Sequence, residues 1–144
     1  MTESLYYNHI VQTIGQYELN GGHIMTAKEY LGQAKRAEAR IGAMLERRQR
    51  YRGIAVKRGA GEADALAGLE ADIDRRIGEY VELVRGIEAT IDRVRSEECR
   101  EVLRYRYLNG WSWQVIAERT HYSKDWLWRL HARGLEAVEG ERTV

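Results

Sequence analysis

The sequence predicts an all-α protein in which a long antiparallel helical hairpin, a two-helix coiled coil, precedes a C-terminal domain of three short helices. The 144-residue chain contains no proline, so little except glycine obliges a helix to stop. Apolar residues recur at helical spacing over two long runs, and this spacing changes to a more compact pattern after Ser96.

The composition is that of a folded, water-soluble protein, with 44% hydrophobic and 31% charged residues. The sequence has neither a run of ~18 apolar residues nor a secretory signal, so we expect a cytoplasmic protein without a membrane partner. Cys99 is the single cysteine, which excludes an internal disulfide. The histidines have no paired ligand spacing, so neither a metal nor a cofactor is expected.

Residues 1–24 have no clear amphipathic period and remain unassigned. They end in Asn20-Gly21-Gly22-His23, which is typical of a loop. One interpretation is a weakly ordered N-terminal arm. In the other, the codons of Gly21 to Ile24 contain a ribosome-binding sequence, Met25 is the true start, and the leader is upstream sequence.

Residues 25–96 are predicted to form the hairpin. Thr26 is a candidate N-cap, and Glu29 would complete a capping box. The first apolar stripe has an alternating four-three spacing, interrupted by Arg48; it consists of Tyr30, Ala34, Ala37, Ile41, Met44, Tyr51 and Ala55. The second follows Gly59-Ala60-Gly61 and consists of Ile73, Ile77, Tyr80, Val84, Ile87, Ile91 and Val94.

The charge pattern supports an antiparallel pairing of these two runs. Lys35 to Arg58 contains nine basic and two acidic residues, whereas Glu62 to Glu98 contains five basic and eleven acidic residues. The two helices should therefore attract each other. Two alternatives stay open: the basic stretch Arg47 to Arg52 with Lys57 and Arg58 could bind phosphate, and the thin core could be completed in a homodimer.

Residues 97–139 are predicted to form the three-helix domain, and residues 140–144 a tail. Ser96 is a candidate cap for the first helix, which ends at Asn109-Gly110. Ser112 caps a helix from Trp113 to Thr120. A turn at His121-Tyr122 follows, and Ser123 caps the last helix, in which Leu127, Leu130 and Leu135 face inward.

Two short helices joined by a tight turn have the layout of a helix-turn-helix, whose second helix enters the major groove of double-stranded DNA. Once the leucines face inward, the exposed face of that helix remains for contact with DNA. We expect Arg129 to contact guanine and Lys124 to contact a phosphate. The candidate DNA-binding residues are Ser112, Ser123, Lys124, Asp125, Trp126, Trp128, Arg129 and Arg133.

The segments Tyr107-Leu108-Asn109-Gly110-Trp111-Ser112-Trp113-Gln114-Val115-Ile116-Ala117-Glu118 and Tyr122-Ser123-Lys124-Asp125 resemble region 4 of bacterial sigma factors. With the preceding hairpin, the chain from Met25 to Val138 resembles small phage and prophage proteins, near the ArpU-type regulators, that join a coiled coil to such a domain. The resemblance implies a regulator of transcription, not an enzyme, that could also contact RNA polymerase.

The chain departs from this family pattern at two places. His121 stands where glycine is usual, so the turn should require a positive φ at a non-glycine residue. Trp126 and Trp128 replace polar residues; we expect one to pack against the hairpin or a partner and the other to contact thymine methyls or a sugar edge.

Two other functions remain open from the sequence. A DNA-packaging protein such as a small terminase subunit also combines a helix-turn-helix with oligomerising helices, and should form a large ring. Alternatively, the tryptophans bind another protein without DNA, because the net charge of +2 over Ser123 to Arg133 is modest for a DNA-binding surface.

Overall fold

A computed structural model describes residues 25–58 and 60–142 of the chain. All regular elements within these residues are helical, which confirms the all-α class. The predicted N-terminal arm, residues 1–24, lies outside the described residues, as do the last two residues of the tail. The elements are α1 Ala27–Leu31, α2 Gln33–Arg58, α3 Ala60–Asp92, α4 Glu97–Leu103, a π-helical segment Arg104–Leu108, α5 Trp113–Thr120 and α6 Lys124–Arg142. Among the described residues, no helix is both long enough and apolar enough to cross a membrane.

Helix α1 begins at the predicted capping box. The Thr26 hydroxyl accepts a hydrogen bond from the Glu29 amide at 3.2 Å, and the Glu29 carboxylate accepts one from the Thr26 amide at 2.8 Å. These two bonds satisfy amides that have no partner within the helix. After Leu31, a single residue, Gly32, separates α1 from α2.

The chain forms two compact units: one is Lys35–Glu82, and the other combines the described residues before Lys35 with those after Glu82. In the first unit, Arg52 on α2 donates to the Glu70 carboxylate on α3 at 2.9 Å. Burial, and next the charge of Glu38, raise the pKa of Tyr80. The members of each pair lie at similar distances along the sequence from Ala60, as antiparallel helices would require. The hairpin nevertheless stays a prediction.

Two of the residues predicted for the hairpin seam are exposed instead. Met44 and Ile73 are buried, but Tyr51 and Ile77 are 42% and 39% exposed. A straight helix has 3.6 residues per turn, so a four-three pattern drifts around its surface. Tyr51 and Ile77 lie at the edge of their stripes for this reason.

The second unit has the larger apolar core, to which α1, α3, α4, α5 and α6 all contribute. Its buried apolar residues include Tyr30, Leu31, Ile87, Ile91, Val102, Leu103, Ile116, Leu127, Leu130 and Val138. The Ala27 amide donates to the Glu139 carboxylate, and the Tyr30 hydroxyl lies 3.5 Å from that of Thr90.

The boundaries of this unit differ from the predicted domain boundary between residues 96 and 97. The short helices α4 and α5 carry few apolar residues of their own, and a core of that size is marginal. Residues of α1 and of the C-terminal part of α3 complete it. Helix α6 also continues to Arg142, and thus into the segment predicted as a tail.

Helix α4 starts at Ser96, as predicted, with the Ser96 hydroxyl accepting from the Cys99 amide at 3.3 Å. Cys99 is buried and has a free thiol. The helix widens into the π-helical segment, in which the Asn109 amide donates to the Arg104 carbonyl at 2.9 Å. Gly110 then adopts a φ of +70°, which ends the helix at the predicted position.

Helix α6 approaches α4 closely at Gly134. A Cβ atom added to this glycine would lie 3.0 Å from Cδ1 and 3.1 Å from Cγ of Leu103. Leu103 is fully buried, so its side chain has little room to move. The absence of a side chain at residue 134 therefore allows α6 to lie against α4.

Candidate nucleic-acid interface

The two helices of the predicted helix-turn-helix both begin at capping serines. The Ser112 hydroxyl accepts from the Val115 amide at 3.2 Å, and the Ser123 hydroxyl accepts from the Trp126 amide at 3.2 Å. Both serines are exposed. Each hydroxyl thus caps the first turn of its own helix.

The turn between α5 and α6 has the predicted backbone conformation. His121 has φ 61° and ψ 16°, in the left-handed region, and its amide donates to the Ala117 carbonyl at 2.9 Å. This bond is the usual one at the end of a helix closed by a left-handed residue. Thr120 supports the turn, since its hydroxyl donates to the Ile116 carbonyl at 2.6 Å and accepts from the Tyr122 amide at 3.3 Å.

Helix α6 has one buried face and one exposed face. Leu127, Leu130, His131, Gly134 and Val138 are buried, and the helical period places them on a single side. Leu135, predicted to face inward, is only half-buried. The opposite side is therefore free to meet a ligand.

The exposed face carries five of the predicted site residues. At 3.6 residues per turn they share one half of the helix surface, in its first three turns. Trp126 differs, since it is half-buried at the edge of the core face. The exposed members are Lys124, Asp125, Trp128, Arg129 and Arg133.

The two tryptophans of α6 have different surroundings. Trp128 is 54% exposed, and its ring packs at 5.1 Å, centroid to centroid, against Trp113 of α5. The Arg133 guanidinium lies 5.7 Å from the centre of the Trp126 ring. Trp128 is therefore held in place by its own unit while more than half of its surface remains available.

A groove separates the first turns of α5 and α6, with a volume of about 540 Å³. Its lining combines aromatic and aliphatic surface with one amide and one ammonium group. Trp113, Gln114, Lys124, Leu127 and Trp128 line it. The groove brings together Lys124 and Trp128, which the sequence predicts as site residues, and Gln114, which it does not.

His131 forms the support beneath this groove. Its Nε2 atom lies 2.7 Å from the Tyr107 hydroxyl, and its ring makes an edge contact with Trp113 at 4.7 Å. Burial first, and then the charges of Lys28 and Arg106, lower the pKa of His131 to about 4. The imidazole is therefore neutral at pH 7 and shares a hydrogen bond with the Tyr107 hydroxyl.

His131 is one of the histidines from which no metal site is expected, and the sequence does not predict it as a site residue. Its position one residue after Leu130 and four after Leu127 is the signal that places it on the buried stripe. The described residues contain no group of histidine, cysteine, aspartate and glutamate that could hold a metal ion.

Two arginines near the groove are not among the residues predicted from the sequence. The Arg106 guanidinium lies 4.9 Å from the centre of the Trp113 ring and donates to the Trp111 carbonyl at 3.1 Å. The Arg119 guanidinium lies 4.6 Å from the centre of the Trp111 ring, which stacks at 4.7 Å on Tyr105. Stacking of this kind orients a guanidinium while leaving its charge in place.

The π-helical segment explains why these contacts were not predictable. It supplies Tyr105, Arg106 and Tyr107 in a wider helix than the regular period assumes. Their directions therefore cannot be read from 3.6-residue spacing. The sequence signal for these aromatic contacts was the alternation of Tyr105, Tyr107, Trp111 and Trp113.

The arrangement can provide the two kinds of contact that nucleic-acid recognition requires. Lys124, Arg129 and Arg133 present exposed cations along one helix face, suited to phosphates and to the acceptor atoms of guanine. Trp128 and the groove beside it supply apolar surface. Comparisons with family models, with curated proteins and with solved structures find no match to this chain.

Proposed function

We propose that the chain is a sequence-specific DNA-binding regulator of transcription of the phage type, with α6 as its recognition helix. The observation that carries the proposal is the exposed face of α6 with Lys124, Asp125, Trp128, Arg129 and Arg133, directly after a serine-capped helix and a tight turn. This is the arrangement by which a helix-turn-helix presents its second helix to the major groove.

Arg129 is the proposed base-reading residue. It lies in the second turn of α6 beside the exposed Trp128, and arginine binds the O6 and N7 atoms of guanine through two parallel hydrogen bonds. Lys124, in the first turn, is the proposed phosphate contact. Trp128 would meet a thymine methyl or a sugar edge.

The resemblance to sigma region 4 supports a contact with RNA polymerase as a further part of the proposal. Action in the cytoplasm, and assembly into a homodimer that completes the thin core of the hairpin, are its remaining parts. A regulator of this kind performs no catalysis and needs no cofactor.

The test is selection of bound duplexes from a random DNA pool by the full chain and by three variants. Arg129→Ala and Trp128→Ala change the proposed reading face, and Arg75→Ala changes an exposed arginine of α3 as the control. We expect an enriched motif with the wild type and Arg75→Ala. Loss of one guanine contact should reduce discrimination at one position by about 1–3 kcal/mol, which is roughly 5- to 150-fold.

Enrichment that survives Arg129→Ala and Trp128→Ala unchanged would refute the assignment of the reading face. Binding without any enriched motif, together with a large ring in light scattering, would favour the DNA-packaging function.

A protein-binding function is the second candidate, because Trp128 is 54% exposed beside a largely apolar groove. Exposed tryptophans that border a groove are common at protein interfaces. Absence of DNA binding at moderate salt would make this function the leading one.

A further inference from the structure

The outward face of α2, within the unit Lys35–Glu82, carries a row of cations that the proposed recognition helix does not use. Arg40, Arg47, Arg50, Lys57 and Arg58 are all exposed. At 100° per residue they fall within one stripe about a third of the helix circumference wide. The row runs for ~27 Å along the helix at 1.5 Å per residue.

Most of the other charged side chains of α2 lie outside this stripe. The helical period places Arg36 within it, Glu38 on the opposite side of the helix and Glu46 just beyond its edge. Arg52 lies outside it and donates to Glu70 of α3 at 2.9 Å. The ion pair to α3 therefore does not use the cations of the row.

Apolar surface is interleaved with these cations. Ile54 lies on the same stripe and is 44% exposed, and Tyr51, which is 42% exposed, lies at its edge on the side of the predicted hairpin seam. Tyrosine is one of the side chains that bind the phosphates and sugars of a DNA backbone.

We propose that this face of α2 binds the phosphate backbone of duplex DNA without reading its sequence. Duplex DNA carries one negative charge per ~1.7 Å of its axis. A row of five cations ~27 Å long can therefore lie along phosphates of opposite charge over its whole length. The choice of DNA over other polyanions rests on the proposed function. The charge, exposure and alignment of the row are observations that do not depend on that function.

The experiment measures how the affinity of the full chain for a duplex of about two helical turns depends on salt. Arg47→Gln/Arg50→Gln removes two cations of the row. The matched control, Arg75→Gln/Arg76→Gln, removes two cations of α3, where Arg75 pairs with Asp72 and Glu79. Both double variants change the net charge of the chain equally, so their difference reports local contacts.

Each phosphate contact contributes a slope of about 0.9 to the dependence of log affinity on log salt concentration. We therefore expect the slope to fall by about 2 in Arg47→Gln/Arg50→Gln and to stay unchanged in Arg75→Gln/Arg76→Gln. Affinity at low salt should fall equally for duplexes of different sequence.

Equal slopes in the two double variants would overturn the inference. So would an unchanged slope together with an altered sedimentation coefficient in Arg47→Gln/Arg50→Gln, because the row would then contact a second copy of the chain. Failure of this inference differs from failure of the proposed function. An enriched motif with an unchanged slope refutes only the α2 contact, and a reduced slope without a motif refutes only sequence reading by α6.

Discussion

His131 should make the stability of the protein depend on pH below neutrality. Its pKa is lowered in the folded chain to about 4 from an ordinary value of 6.5. The unfolded chain therefore binds a proton between these two values while the folded chain does not. Stability contributed by the neutral imidazole is complete above pH 6.5 and decreases as pH falls toward 4.

The magnitude follows from the two pKa values. Between about pH 7.5 and about pH 5.5, protonation of His131 in the unfolded state should reduce the free energy of unfolding by about 1.4 kcal/mol. Near pH 4 the loss should approach about 3 kcal/mol. Because His131 is only 6% exposed, solvent screens this effect weakly.

Urea unfolding at the two pH values measures the loss, and two variants isolate it. His131→Gln keeps a hydrogen-bonding group for the Tyr107 hydroxyl but cannot titrate, so about 1.4 kcal/mol of the pH dependence should disappear. His121→Gln, at an exposed histidine, should retain it. The carboxylates that begin to titrate in this pH range contribute the same pH dependence to the wild type and to both variants.

A direct measurement guards against a general loss of stability in His131→Gln. Nuclear magnetic resonance of the imidazole ring should show His131 neutral at pH 5.5. Titration of His131 near 6.5, or equal pH dependence in the wild type and His131→Gln, would refute the reasoning.

Four substitutions test the packing, the turn and the cap of α6, each by urea unfolding at pH 7. Gly134→Ala places a Cβ against Leu103 and should lower the free energy of unfolding by about 1–2 kcal/mol. Its control, Gly140→Ala, has open space around it and should raise that free energy by up to about 1 kcal/mol. Equal effects of the two substitutions would contradict the close approach of α4 and α6. His121→Gly should add about 0.5–1 kcal/mol by relieving the left-handed φ, and destabilisation would show that the imidazole makes a necessary contact. Ser123→Ala should cost about 1 kcal/mol through loss of the cap of α6, and an unchanged stability would argue against that cap.

Features that depend on neighbouring residues were the most predictable. The caps at Thr26, Ser96, Ser112 and Ser123 all occur as expected, because a capping hydroxyl bonds an amide three residues away. The positive φ of His121 was expected from the resemblance, because glycine is usual at this position of the turn.

Features that depend on distant residues were not predictable. The hydrogen bond between Tyr107 and His131 joins the π-helical segment to α6, and the ring contact between Trp113 and Trp128 joins α5 to α6. Periodicity reports which side of a helix is apolar, but it does not report which aromatic ring on one helix meets which ring on another. The division of the chain into compact units was missed because it depends on how α1 packs with α6.

The discontinuity of the larger unit has a consequence for the order of folding. Its residues come from both sides of Lys35–Glu82, and the bond from the Ala27 amide to the Glu139 carboxylate spans most of the chain. During synthesis, Lys35–Glu82 emerges complete while α1 still lacks its packing partner. The local contacts of that segment can form early, whereas α1 must wait until the last helix has left the ribosome.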